Sequence, residues 1–216
     1  MGFFSESDKR TLRTHFSGLE DPVQLIFVKR DTLCRYCRDT CELVMEFAEI
    51  SKKIRVDVYD IDKDADEIGK LGIERVPAIA LLDKSRKDTG IRFYGMPGGY
   101  EFHSLLGAVL VVSKRRTGLT EDLIRQIKRI ETPLHIKTYI TPTCPYCSSV
   151  VRLIHKMAFL NPHIRADMIE VTEFPELGNE AGVKGVPKTI VNHFFDLEGA
   201  LPEEQFIYTI IQNLKK

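Results

Sequence analysis

Tryptophan is absent from this 216-residue chain, and asparagine and glutamine together supply only eight residues. Net charge is absent as well, since 31 basic residues balance 31 acidic ones. There is therefore no basic field to gather nucleic acid or an anionic membrane surface. No apolar run approaches the roughly 18 residues that a spanning helix needs. The opening residues Met1-Gly2-Phe3-Phe4-Ser5-Glu6 lack a basic stretch followed by an apolar one, so no secretory signal is expected there. Gly2 fits a myristoylation site poorly, because Glu6 stands where Ser or Thr is wanted. Phe3 and Phe4 are expected to pack as an anchor. The expectation is a cytoplasmic protein with no membrane and no nucleic-acid partner. Charged residues make up 29% of the chain, and that share with so few amides leans towards a heat-adapted source.

Five cysteines are present. In a cytoplasmic chain they point to redox chemistry or metal rather than to a structural disulfide framework. Four of them form two Cys-x-x-Cys motifs, Cys34-Arg35-Tyr36-Cys37 and Cys144-Pro145-Tyr146-Cys147. Pro77 follows Cys34 by 43 residues and Pro187 follows Cys144 by the same 43, each preceded by valine (Val76, Val186).

The rest of the chain repeats with the motifs. Leu12, Phe16 and Leu19 share one face of a helical pattern that opens near Ser5 or Ser7 and is broken by Asp21-Pro22. Val23–Val28 reads as a buried strand, and Leu43, Val44 and Phe47 mark a helix after Cys34. Ile54–Tyr59 is a second strand, residues 64–71 a short helix stopped by Gly72, and residues 78–82 a third strand. A turn at Asp88-Thr89-Gly90 leads to a fourth strand, residues 91–94, and a helix over 102–113 closes the unit. After the charged linker 114–118, Thr120 caps a new helix and the order starts again. A shift of 110 residues carries Ile54-Arg55-x-Asp57 onto Ile164-Arg165-x-Asp167, Gly72 onto Gly182, and Val76-Pro77 onto Val186-Pro187. Identity at one offset in separate segments is an internal repeat. The expected fold is α/β, with units at 1–117 and 118–216. Each would be a mixed central sheet with helices on both faces, its first strands parallel and its last two antiparallel.

Each motif falls where a strand passes into a helix. A helix N-terminus presents unpaired N–H groups and favours an anion, and the thiolate is the reactive form of cysteine. Cys34 and Cys144 are thus the candidate attacking sulfurs, and Cys37 and Cys147, one turn later, the candidate resolving ones. Pro145 stiffens its loop. Arg35 puts a cation in the equivalent place, and Lys29, Arg30 and Arg38 are near in sequence.

These residues resemble the thioredoxin superfamily, with Cys-Pro-Tyr-Cys its glutaredoxin form. The doubled plan is similar to the protein disulfide oxidoreductases, or glutaredoxin-like proteins, of archaea and thermophilic bacteria. The resemblance covers nearly the whole chain. It implies two tandem thioredoxin-like folds sharing one extended sheet, with cis bonds at Val76-Pro77 and Val186-Pro187. The backbone of Val76 or Val186 would pair with a bound polypeptide, making Val76, Pro77, Val186 and Pro187 substrate-binding residues. The implied activity is thiol–disulfide exchange on protein disulfides and dithiols, as reductase, oxidase or isomerase. No cofactor is implied beyond the redox-active disulfides Cys34–Cys37 and Cys144–Cys147. Neither unit carries a dinucleotide fingerprint, so electrons are expected from a separate thioredoxin-reductase-like flavoprotein. One departure stands out. Thioredoxin places a buried Asp on the strand before its motif, where this chain has Phe27-Val28 and Thr138-Tyr139. No complete glutathione-binding set is recognisable.

Two other readings of the cysteines stand beside this one: a structural zinc site of all four motif cysteines, and a non-catalytic adaptor that retains inherited thiols. Cys41 aligns with Val151 and reads as a core thiol. The six histidines show no ligand spacing. Asp57 and Asp167 read as structural residues at strand ends.

Overall fold

A computed structural model describes residues 2–214. Its helices are α1 (Glu6–Phe16), α2 (Cys37–Glu49), α3 (Ala65–Gly69), α4 (Phe102–Lys114), α5 (Glu121–Lys128), α6 (Cys147–Leu160), α7 (Pro175–Glu180) and α8 (Glu203–Asn213). Its strands are β1 (Val23–Lys29), β2 (Ile54–Asp60), β3 (Ala78–Leu82), β4 (Asp88–Tyr94), β5 (Leu134–Ile140), β6 (Ile164–Glu170), β7 (Lys188–Val191) and β8 (Phe195–Glu198). Local chemistry sets the ends. Ser5 and Asp8 form a reciprocal capping box at the start of α1, and the Thr120 hydroxyl accepts from Leu123 N–H at the start of α5. Phe4 packs against Phe102 with ring centroids 5.1 Å apart and planes tilted by 49°, as an anchor would, whereas Phe3 is 41% exposed.

One eight-stranded sheet runs through both repeats in the order β2-β1-β3-β4-β6-β5-β7-β8. Within each repeat the first two strands are parallel and the last two antiparallel. The repeats join through β4 and β6, which are parallel and set Arg92 opposite Asp167. Every residue of β1 except Lys29 is buried, as a strand covered on both faces requires. The long helices cover one face over a continuous core in which Phe47 meets Phe16 and Phe102 edge-on. A smaller core that includes Ile68 of α3 and Phe174, beside α7, covers the other.

Two expectations need correction. The β3–β4 turn lies at residues 83–87, where Asp83 N–H donates to Lys87 O and Arg86 adopts φ 60°, and not at Asp88–Gly90. The Asp83 carboxylate accepts from both Ser85 N–H and Lys87 N–H, which closes the turn earlier and extends β4. Asp57 and Asp167 lie mid-strand, not at strand ends. Asp167 is 2% exposed and bonded by His135 and Arg165. Burial alone would raise its carboxyl, but those two partners hold it below the usual range.

Candidate active site: two unlike dithiols at one end of the sheet

Cys34 pairs with Cys37 and Cys144 with Cys147, as disulfides with Cα separations of 5.4 and 5.5 Å. Both cysteine pairs follow the C-terminal ends of β1 and β5. The chain of pairings from β1 through β3, β4 and β6 to β5 makes these two strands parallel. The two dithiols therefore share one end of the sheet, four strand spacings apart, or about 19 Å. At that distance the four sulfurs do not meet around one ion, and neither pair touches the other.

The helices begin at the second cysteine of each motif, Cys37 and Cys147. The attacking candidate thus sits in the turn before the helix, three residues ahead of its first residue. The expected electrostatics survive this shift, because Cys147 N–H, a free donor of the first turn, points at Cys144 Sγ from 3.2 Å. Val186 and Pro187 stand opposite, with the Val186 carbonyl oxygen 3.8 Å from Cys144 Sγ. Both Val–Pro bonds are cis. Pro77 and Pro187 immediately precede β3 and β7, whose first residues pair with Val28 of β1 and Tyr139 of β5. That register carries each Val–Pro to the end of the sheet where the dithiol lies.

The surroundings of the two pairs differ. Cys144 is 8% exposed, whereas Cys34 is half-buried and follows Leu33, which is 99% exposed with φ 58°. The cations near Cys34 are mostly engaged: Lys29 with Asp31, Arg30 with Asp62, and Arg38 with Glu42. Arg35 has no carboxylate partner among the described residues and lies 5.2 Å over the Tyr36 ring. Tyr146, by contrast, is 67% exposed. Cys41 is the free cysteine; it packs against the core, and burial raises its thiol.

The C-terminal pair has one neighbour that the sequence did not announce. A single 3-10 turn, Gly99–Glu101, leaves the end of β4 and crosses the join. Tyr100 N–H donates to Pro142 O at 3.1 Å, and Gly99, at φ 56°, lies so close to Pro142 O that a Cβ would collide with it. Glu101 follows, fully buried. Its Oε2 accepts from Ser104 Oγ at 2.6 Å, and that hydroxyl lies 3.4 Å from the carbonyl of Ser148, the residue after Cys147. Its Oε1 has no hydrogen-bond partner among the described residues. Burial pushes this carboxyl up to about 7, against the opposing pull of Ser104 and Arg152. A buried carboxyl of the first repeat thus lies beside the helix that starts at Cys147, while the strands before the two motifs carry none. Glu173, at the opposite end of the same connection, is likewise pushed up by burial to about 7; its Oε1 accepts from Met96 N–H.

Residues 134–212 match a thioredoxin domain. The crystal structure of a protein disulfide oxidoreductase from Aeropyrum pernix K1 superposes with a TM-score of 0.89 at 30% identity, covering 96% of this chain and 92% of that one. The chain belongs to the protein disulfide oxidoreductases with tandem thioredoxin-like folds. The NTD_N/C domain of alkylhydroperoxide reductase AhpF from Enterococcus faecalis is as similar to this oxidoreductase, with a TM-score of 0.91 at 28% identity over 96% of this chain and 99% of that one. An NADH dehydrogenase of Ferdinandcohnia aciditolerans is 32% identical over 169 residues, 78% of this chain. That stretch is only 30% of the relative's length. Among the described residues no helix is long and apolar enough to cross a membrane, and no group of three or more His, Cys, Asp or Glu residues is arranged to hold a metal.

Proposed function

We propose that this oxidoreductase exchanges electrons with protein disulfides and dithiols in the cytoplasm through both Cys-x-x-Cys pairs, using no cofactor beyond them. The observation that carries the reading is the C-terminal constellation: a disulfide under a helix N–H, a cis Val–Pro beside it, and a buried carboxyl linked through Ser104 to the residue after Cys147. In the reducing direction, the Cys144 thiolate attacks one sulfur of a substrate disulfide. A Cys144–substrate disulfide forms and the first substrate thiolate leaves. Glu101 takes the proton of the Cys147 thiol, whose thiolate then attacks Cys144 Sγ and releases the second substrate thiolate. The substrate disulfide gains two electrons, and the Cys144–Cys147 pair becomes a disulfide. Cys34 and Cys37 play the same parts at the other site without a carboxyl delivered from the neighbouring repeat. The backbones of Val76 and Val186 pair with the extended substrate, and Pro77 and Pro187 shape those contacts.

The electron donor in this reading is a separate thioredoxin-reductase-like flavoprotein. One observation supports such a donor: neither repeat carries a nucleotide fingerprint of its own.

The test is reduction of insulin with dithiothreitol as electron source, by the wild type, by Cys34→Ser, by Cys144→Ser and by the double variant. The double variant is expected to fall to the uncatalysed rate. Activity retained in it would sink the proposal.

A further inference from the structure

The join between the repeats is asymmetric, because the fourth strand of one unit pairs with the second strand of the next. Such a head-to-tail contact does not close on itself, so it leaves a matching tail and head unused at the two ends of the sheet. The unused head is β2, which corresponds to β6 through the 110-residue offset. The unused tail is β8. It pairs with β7 as β4 pairs with β3, setting Asp196 opposite Ile190 as Arg92 is set opposite Ala80. A second copy placed on these edges in the register of the internal join would set Asp196 opposite Asp57 and Leu197 opposite Val58.

The free head keeps exposed apolar surface where the internal join is buried. His155 and Met168 are buried at the join, and their counterparts Met45 and Val58 are 43% and 40% exposed. The opposed charged pair has changed sign. At the join Arg92 faces Asp167, with Arg92 held by Asp88 at 2.5 Å and Asp167 by Arg165 at 2.9 Å. At the free edges both positions carry aspartate. Arg86 binds Asp57 and Lys188 binds Asp196, each at 2.8 Å and each on its own edge. Like charges directly opposite on neighbouring strands destabilise the pairing, and open edges must be protected against it.

We infer that β2 and β8 form a latent interface for a second copy of this chain, and that the facing pair Asp57 and Asp196 keeps it silent. Removing the like-charge opposition at either edge lets copies join head to tail, in chains that lengthen with concentration.

Four proteins test this by sedimentation velocity: the wild type, Asp57→Arg, Asp196→Arg, and the double variant. Each single variant restores an Arg–Asp pair, so its weight-average mass should at least double relative to the wild type and fall on adding salt. The double variant sets arginine against arginine and should match the wild type. Adding Val58→Lys to either associating variant should disperse it. Single variants that sediment as the wild type would overturn the inference, and so would a double variant that associates as strongly as the singles, or association that Val58→Lys leaves intact. Circular dichroism and retained insulin reduction show that each variant is folded.

Discussion

The two dithiols occupy equivalent places in two copies of one unit, yet only one has a buried carboxyl brought to its helix by the other copy. The cause is topological rather than local. The connection that leaves β4 carries Glu101, and β4 lies beside β6, so the carboxyl arrives next to the helix that starts at Cys147. On its outer side β2 has no neighbouring strand among the described residues, so no connection from another unit crosses to the helix that starts at Cys37, and the buried carboxyl on that side is Asp60, at the end of β2 itself. A tandem repeat thus builds two unlike sites from nearly the same parts, with the first unit completing the second.

The largest expected effect is at the sulfurs. Cys144→Ser should abolish exchange at the C-terminal pair and leave the Cys34–Cys37 pair able to cycle, as read by insulin reduction and by mass spectrometry of trapped mixed disulfides. Loss of both sites in this one variant would break the comparison, since it would show that Cys34 works only through Cys144.

Next comes the carboxyl. Glu101→Gln keeps the shape and the contact with Ser104 but takes no proton. Disulfide transfer through Cys144 should slow about a hundredfold above pH 7, in the range usual for a lost general base, while transfer through Cys34 is unchanged. Stopped-flow kinetics with each pair isolated by Ser substitution would show it.

The same variant should alter stability against pH. Glu101 titrates higher in the folded protein than in the unfolded chain, so the folded state holds the proton more tightly. Its contribution is fully present below pH 4.5 and is lost as pH rises through about 7. Glu101→Gln should flatten that fall by about 3 kcal/mol in urea melts. Glu173 titrates in the same window and leaves a residual slope that Glu173→Gln should remove.

The smallest effect lies at the other site. Leu33 holds a left-handed backbone with its side chain fully in solvent. Leu33→Gly relieves that conformation and should raise stability by about 1 kcal/mol or less, seen as a small rise in Tm.

Much of this was legible in the sequence because it is local or repeats at a fixed offset. The buried run of β1, the strand from Leu134 to Ile140, the Thr120 cap and both Val–Pro pairs needed only periodicity, capping chemistry and the 110-residue shift. The β3–β4 turn was misplaced because Gly90 looked like a turn residue, while the Asp83 carboxylate closes the turn earlier. Glu101 was not legible. It lies 43 residues before Cys144 and meets the helix after Cys144 only because β4 and β6 pair, which no spacing in the chain announces. An acidic residue in an otherwise apolar closing segment, just after Gly98-Gly99, was the one available signal.

The most direct measurement is the pH profile of alkylation of Cys144 and Cys34 in the reduced protein, each followed in a variant lacking the other pair's attacking sulfur. The Cys144 profile should lie at lower pH, because a helix N–H points at that sulfur and Pro145 stiffens its loop. It should also carry a second inflection near pH 7 from Glu101 that the Cys34 profile lacks. Superimposable profiles would contradict the claim that the first unit completes the site of the second.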